Sequence, residues 1–148
     1  MTMDELFLLA TVAGQAVAIR SDQVESVVDI GEVTAVPRAS AHVRGLAALR
    51  SRVVTVIDTG AVLDHPASDA RHRRAVVTMV DGHHYALLVE GVDDVTRFRS
   101  APLAPGLVLG GAWSSIVPGM IERDRYPILI VDLPAIVARI GGDVRHIV

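Results

Sequence analysis

The residues with the clearest catalytic potential are Asp58, Thr59 and Gly60. They follow the apolar run Val54–Ile57, whose β-branched residues predict a buried strand. A carboxylate at the end of such a strand could share a proton with a second carboxylate and activate water. It could equally end the strand and accept a hydrogen bond from the turn that follows. These residues alone leave both interpretations open.

The stretch Asp58-Thr59-Gly60-Ala61 resembles the catalytic motif of retroviral-type aspartic proteases. In that family two such aspartates meet across a dimer axis and share a proton. The resemblance implies a dimeric protease that uses Asp58-Thr59-Gly60, and this is the alternative function. An internal repeat, described below, offers a structural explanation of the same aspartate.

Other patterns of catalysis or ligand binding are absent from the sequence. Six histidines are present, but none forms a His-x-x-x-His pair, and His83-His84 falls at a predicted hairpin turn, where adjacent side chains point to opposite faces. The lack of cysteine excludes disulfides, thiolate zinc sites and thiol nucleophiles. No phosphate-binding glycine loop or nucleophile elbow occurs. We therefore predict no metal site and no cofactor.

Charge and hydropathy limit the classes of partner. The net charge is −3, which provides no basic field for a phosphate backbone, so nucleic acid is not an expected partner. The N-terminus is acidic, and no apolar run approaches the length of a bilayer. We expect a cytoplasmic protein without direct membrane insertion, in agreement with the absence of cysteine.

Composition favours strands as the elements that position these residues. Hydrophobic residues make up 51% of the chain but aromatic residues only 3%, so the core must be built from Val, Ile, Leu and Ala. A length of 148 residues suits one domain with a sizeable core. We predict a single domain over residues 1–148.

An internal repeat organises the chain. Gly45 and Asp58 recur at a common separation as Gly119 and Asp132. A second common separation relates the pairs Leu9/Val77, Val12/Val80, Gly14/Gly82, Val17/Tyr85, Ala18/Ala86, Ile19/Leu87, Val24/Val92 and Val27/Val95. Similar composition of short β-rich segments is the other explanation. We predict two half-repeats, roughly 6–63 and 75–132, each with a hairpin, a third strand and a glycine-started hairpin ending in aspartate.

The apolar strands need cover on both faces, which two small packed barrels would supply while removing exposed sheet edges. Asp132 can cap a short helix over 133–140, because Pro134 is tolerated in its first turn and Gly141 can end it. The polar stretch Asp64–Arg74 joins the two halves and is predicted as an exposed loop.

The order of these segments resembles the CheW-like domain, the adapter fold of bacterial chemotaxis, over nearly the whole chain. In that family an Asn-Leu-Arg-Gly core precedes a strand ending in Ile-Asp-Leu, and a Val-Asp-x-Val signature follows in the second half. The residues kept here are Leu49-Arg50, Ile57-Asp58 and the valines of Leu88-Val89-Glu90-x-Val92-x-x-Val95. The departures are Ala48 for Asn, Ser51 for Gly, Thr59 for Leu and Glu90 for Asp.

The resemblance implies an all-β fold of two intertwined five-stranded SH3-like barrels with a short C-terminal helix. It also implies a non-enzymatic adapter that couples the cytoplasmic tips of methyl-accepting chemoreceptors to the regulatory domain of the histidine kinase CheA. Such an adapter would be recruited to membrane chemoreceptor arrays. A groove between the two halves could receive the apolar face of a helical receptor hairpin.

Matching the family's partner-binding positions predicts that five residues line or flank this groove, namely Val24, Glu25, Gly45, Arg50 and Val95. Arg50 is expected to anchor a polar contact at the edge of an apolar patch. Its alternative role is to close a turn with Asp58 or Glu25. Gly45 is expected to permit a close backbone approach, and for Val24 and Val95, each taken alone, a core role is the favoured alternative.

Overall fold

The computed structural model describes residues 4–64 and 73–140. Within them, strands dominate, as the Val- and Ile-rich runs predict. The strands are β1 (Asp4–Val12), β2 (Gln15–Arg20), β3 (Ser26–Asp29), β4 (Val43–Leu49), β5 (Arg52–Ile57), β6 (Arg74–Val80), β7 (His83–Leu88), β8 (Gly91–Arg99), β9 (Gly119–Arg123) and β10 (Tyr126–Ile130). The helices are α1 (Thr59–Val62), α2 (Trp113–Ile116) and α3 (Leu133–Ile140), with a 3-10 turn at Ser21–Gln23.

The strands form two five-stranded sheets that share both halves of the chain. The first sheet has the order β8-β1-β2-β10-β9 and the second has the order β3-β6-β7-β5-β4. Exchanging each strand for its counterpart five strands later or earlier converts one order into the other. Each sheet therefore combines strands of both halves, which confirms the predicted intertwined, all-β architecture.

The strand register repeats the separations found in the sequence. Thr55 lies opposite Tyr85 where β5 and β7 run parallel, and Leu129 lies opposite Val17 where β10 and β2 run parallel. The two pairs correspond to each other in the repeat. Thr55 is related to Leu129 by the separation between Gly45 and Gly119, and Val17 is related to Tyr85 by the separation between Gly14 and Gly82. The antiparallel pairs agree, because β4 and β5 place Gly45 opposite Val56 while β9 and β10 place Gly119 opposite Ile130. The predicted internal duplication is thus visible in the register of both sheets.

The core is divided into one shared and two separate clusters. The largest cluster draws residues such as Leu8 and Val17 from the first sheet, Ile57 and Leu87 from the second, and Ile136 from α3. A smaller cluster belongs to each sheet alone. Since alternate residues of a strand face opposite sides, strands such as β1, β5 and β10 contribute to both kinds of cluster. Each fully buried Val, Leu or Ile contributes roughly 1.5–3 kcal/mol before chain entropy is subtracted.

The two repeated aspartates end strands and cap helices. The carboxylate of Asp58 accepts a hydrogen bond from the backbone N–H of Ala61 at 3.2 Å, and that of Asp132 accepts one from Ala135 at 3.0 Å. Helix α3 occupies the residues for which a helix was predicted. Its predicted end at Gly141 lies outside the described residues.

Most of the loop predicted over Asp64–Arg74, residues 65–72, also lies outside the described residues. In the part of the chain that the structure describes, no helix has the length and apolar character needed to cross a membrane.

Candidate partner-binding surface

Two of the five predicted site residues, Glu25 and Arg50, line one open cleft of about 380 Å³. The cleft lies between the start of β3 and the β4–β5 hairpin, and β3 and β4 are the two edge strands of the second sheet. We call it the Arg50 cleft, and it is lined by Glu25, Ser26, Val28, Leu49, Arg50, Ser51, Arg52, Val54 and Val77. Its valines belong to or pack against the separate core cluster of that sheet, so an apolar floor is bordered by polar side chains.

Arg50 occupies a strained position in the β4–β5 turn. Leu49 and Arg52 are the last paired residues, so Arg50 and Ser51 form a two-residue turn in which φ is +56° at Arg50 and not positive at Ser51. Turns with positive φ at the first central residue alone usually carry glycine there. A side chain in the left-handed region costs roughly 1–2 kcal/mol. Arg50 is therefore held at the mouth of the cleft at the expense of stability.

Arg52, the other arginine that lines this cleft, already has a carboxylate partner. Glu25 accepts a hydrogen bond from Arg52 at 2.9 Å, and its second oxygen lies 3.0 Å from Nε2 of His84. Asp58 pairs with Arg44 at 3.5 Å. The alternative in which Arg50 closes a turn with Asp58 or Glu25 is therefore not what the structure shows. Among residues 4–64 and 73–140, the Arg50 side chain has no ion pair or hydrogen bond.

Val24 lies between the 3-10 turn and β3, half-buried against the shared core cluster. It also lines a second open cleft, of about 450 Å³, on the other side of Glu25. We call this the Met79 cleft, and it is lined by Asp22, Gln23, Val24, Glu25, Thr78, Met79 and Pro134. Val24 is thus both a packing residue and a surface residue.

Gly45 is buried and plays a backbone role. Its φ is +147°, and a Cβ built on it would lie 2.8 Å from the carbonyl carbon of Thr34 and closer still to the carbonyl oxygen. Thr34 and Leu46 form an isolated bridge through two hydrogen bonds of 2.8 and 2.9 Å. Glycine is needed here for close approach of these backbones.

Val95 lies in the first sheet, on β8, opposite Leu8. Its side chain is 53% exposed, and the neighbouring Leu6 is 41% exposed. The structure therefore does not bring Val95 to the Arg50 cleft, which belongs to the second sheet. Its counterpart in the repeat, Val27, is half-buried against the shared core. Val27 therefore has a core role, whereas the exposed Val95 is a surface residue.

Three neighbours of the predicted site were not predicted from the sequence. Arg52 and His84 contact Glu25 from β5 and β7, and no short-range pattern relates these three positions. Met79 lies two residues after the buried Val77 and so has the spacing of a core residue. It is nevertheless 58% exposed, although the next residue, Val80, packs against the shared core cluster.

Comparisons with known proteins agree on one family. The family model described as the CheW-like domain matches residues 6–141. The chain is 24% identical over 126 residues to the chemotaxis protein CheW of Thermotoga maritima, covering 85% of this chain and 83% of that one. The crystal structure of the scaffolding protein TtCheW from Thermoanaerobacter tengcongensis superposes with a TM-score of 0.77 and 20% identity, covering 90% of this chain and 92% of that one.

These matches confirm the predicted family and the fold of two SH3-like barrels. CheW-like proteins are non-catalytic scaffolds, so the prediction that the chain is not an enzyme is confirmed and the protease alternative is wrong. The surroundings of Asp58 agree, because its side chain is only 6% exposed, pairs with Arg44 and caps α1. The chain belongs to the CheW-like domain family of chemotaxis scaffold proteins.

Proposed function

We propose that this chain couples the cytoplasmic tips of methyl-accepting chemoreceptors to the regulatory domain of the histidine kinase CheA, at membrane chemoreceptor arrays. The observation that carries the proposal is Arg50, an arginine kept in a strained turn beside an apolar cleft. Strained backbone concentrates at functional positions, where the conformation is retained for something other than stability. In a family of chemotaxis scaffolds, that use is binding of a signalling partner.

The chemistry of the Arg50 cleft supports a protein partner. An arginine beside buried valines offers a planar set of donors next to apolar surface, the combination that is enriched in interface hot spots. Glu25 lies in the same cleft and is oriented by Arg52 and His84. We propose that Arg50 donates to a polar group of the partner while an apolar partner side chain covers the floor.

The other predicted residues act in different ways in this proposal. Val24 contributes apolar surface on the far side of Glu25, and Gly45 maintains the β4 backbone that carries the Arg50 turn. Val95 and Leu6 offer an exposed apolar surface on the first sheet, separate from the Arg50 cleft. A scaffold that joins two proteins needs surfaces that both can occupy at once, and two separate sheets supply them.

The test is calorimetric titration of folded variants with the CheA regulatory domain and with a receptor cytoplasmic fragment. We expect Arg50→Ala to weaken at least one partner by about thirtyfold, the loss that corresponds to the roughly 2 kcal/mol of a hot-spot residue. Arg125→Ala is the matched control, because Arg125 also occupies a two-residue hairpin turn with positive φ, +70°, but on the first sheet. Equal affinities of wild type and Arg50→Ala for both partners would show that the site assignment is wrong.

A further inference from the structure

One ring nitrogen of His84 contacts two oppositely charged groups beside the Arg50 cleft. This atom, Nε2, lies 2.6 Å from a guanidinium nitrogen of Arg52 and 3.0 Å from a carboxylate oxygen of Glu25. The other oxygen of Glu25 accepts a hydrogen bond from the same nitrogen of Arg52 at 2.9 Å. The His84 side chain is only 16% exposed. We call these three side chains, Glu25, Arg52 and His84, the His84 cluster.

The two contacts of Nε2 need different protonation states of the ring. A guanidinium can only donate, so the contact with Arg52 is a hydrogen bond when Nε2 carries no proton. An ionised carboxylate can only accept, so the contact with Glu25 is a hydrogen bond when Nε2 carries a proton. One nitrogen cannot satisfy both neighbours at once. The proton on Nε2 therefore decides which neighbour His84 binds.

The charged form of His84 selects Glu25 over Arg52. An imidazolium carries a proton on both ring nitrogens, so Nε2 donates to Glu25 and presents a second cation to Arg52. Like charges at this distance repel, so the guanidinium must move away from the ring. The Arg52 side chain is 50% exposed and already lines the Arg50 cleft. That cleft is the open space into which Arg52 can move.

The surroundings of the cluster leave His84 to set its net charge. Strand β6 places the uncharged Met79 opposite His84. The other charged residues that line the two flanking clefts are Asp22 and Arg50. Among residues 4–64 and 73–140, neither makes an ion pair or hydrogen bond with the cluster. The cluster is thus neutral when the imidazole is neutral and carries one net positive charge when it is protonated.

The first barrel has no equivalent of this cluster. In the repeat, His84 corresponds to Ala16 and Glu25 corresponds to Asp93. Asp93 pairs with Arg123 at 3.7 Å instead. Histidine is the side chain whose ordinary change of charge falls between pH 5 and 8, and at this position only the second barrel carries one. A response to pH in this range is therefore specific to the Arg50 cleft.

We infer that protonation of His84 is a pH-dependent switch on the Arg50 cleft. When the ring is neutral, with its proton on Nδ1, Nε2 and Glu25 both accept from Arg52 and hold it. When the ring is protonated, His84 binds Glu25, and Arg52 is released towards Arg50. Acidification thus adds a second available cation to the cleft and tightens binding of a partner that presents a carboxylate there. This inference rests on the proposed function, because it describes the regulation of the same cleft.

The movement of Arg52 is tested on the free, full-length protein. NMR titration from pH 8 to pH 5 follows the ring of His84 and the side-chain Nε–H of Arg52. We expect the Arg52 signal to shift with the same midpoint as the His84 ring, and this shift to disappear in His84→Gln. His83→Gln is the matched control, because His83 is the exposed neighbour on β7 and points to the opposite face. An Arg52 signal that does not follow His84 would overturn the inference.

The effect on binding is tested by calorimetric titration with the CheA regulatory domain and with a receptor cytoplasmic fragment, at pH 6 and at pH 8. We expect wild type and His83→Gln to bind one partner about fivefold more tightly at pH 6, the factor of an exposed ion pair. His84→Gln should bind that partner equally at both pH values, with folding checked by circular dichroism and thermal melting.

Two results of the calorimetry would overturn the inference. One is equal affinity of wild type at both pH values, and the other is a pH dependence that His84→Gln retains, since that dependence would come from another group. If wild type binds neither partner at either pH, the proposed function fails and the claim about binding fails with it. The NMR titration of the free protein then still decides whether His84 controls Arg52.

Discussion

Thr59 is the residue whose replacement should stabilise the protein most directly. Its side chain is buried, with 2% of the residue exposed, and its hydroxyl oxygen has no hydrogen-bond partner among the described residues. The counterpart of Thr59 in the repeat is Leu133, which is also 2% exposed and opens helix α3. The duplicated fold thus places an apolar side chain at one of these two positions and an unpaired hydroxyl at the other. We predict that Thr59→Val raises stability.

The size of the effect follows from the cost of a buried polar group without a partner, about 1–3 kcal/mol. Valine has nearly the shape of threonine, so the substitution removes the hydroxyl without creating a cavity or a clash. We take the lower end of that range, about 1 kcal/mol, because the helix propensities of the two residues are similar. For a chain of this size, 1 kcal/mol corresponds to a rise in Tm of about 2–4 °C.

Urea denaturation followed by the fluorescence of Trp113 measures this effect. Trp113 is the single tryptophan of the chain, and it packs half-buried against the shared core cluster, so its emission should change when that core opens. We expect the midpoint to rise while the slope m stays constant, since m depends on the surface exposed on unfolding. Thr96→Val is the control, because Thr96 is exposed on β8. A lower midpoint for Thr59→Val, with Thr96→Val unchanged, would refute the claim that the hydroxyl is unpaired.

Three further substitutions test other parts of the account. Gly45→Ala should destabilise the fold by about 3 kcal/mol, because the added Cβ breaks the bridge between Thr34 and Leu46; wild-type melting would contradict this. Arg50→Gly should raise stability by about 1 kcal/mol by relieving the positive φ while weakening partner binding, and calorimetry and thermal melting on one preparation check both. Asp58→Asn should lower stability by about 1–2 kcal/mol, because it removes the charge paired with Arg44. Partner affinity should stay unchanged, and reduced affinity of a folded variant would contradict a purely structural role of Asp58.

The repeat made much of the fold predictable from the sequence. The separations that relate Gly45 to Gly119 and Val17 to Tyr85 also set the register of the observed strand pairs. Which strands share a sheet was not predictable, since β2 could pair with β5 of its own half as well as with β10 of the other. Strand pairing is decided by tertiary packing, and propensity and alternation do not encode it.

The candidate site was less predictable than the fold. Arg44, Arg50 and Arg52 lie on one hairpin, and the sequence alone does not indicate that Arg44 pairs with Asp58 and Arg52 with Glu25. The exposure of Met79 was also not predictable from the sequence. Alternation places it on the same face of β6 as the buried Val77, but alternation does not show whether another element covers that face at each position. Side-chain pairing and exposure of this kind are properties of the assembled barrels.

The central claim is that one chain joins a chemoreceptor to CheA. A three-component pull-down tests it, with an immobilised receptor cytoplasmic fragment and the CheA regulatory domain in solution, in the presence and absence of this protein. The account predicts that the kinase domain is retained through this protein, and that retention falls with Arg50→Ala but not with Arg125→Ala. Binding to neither partner, or binding in which each partner displaces the other, would contradict it.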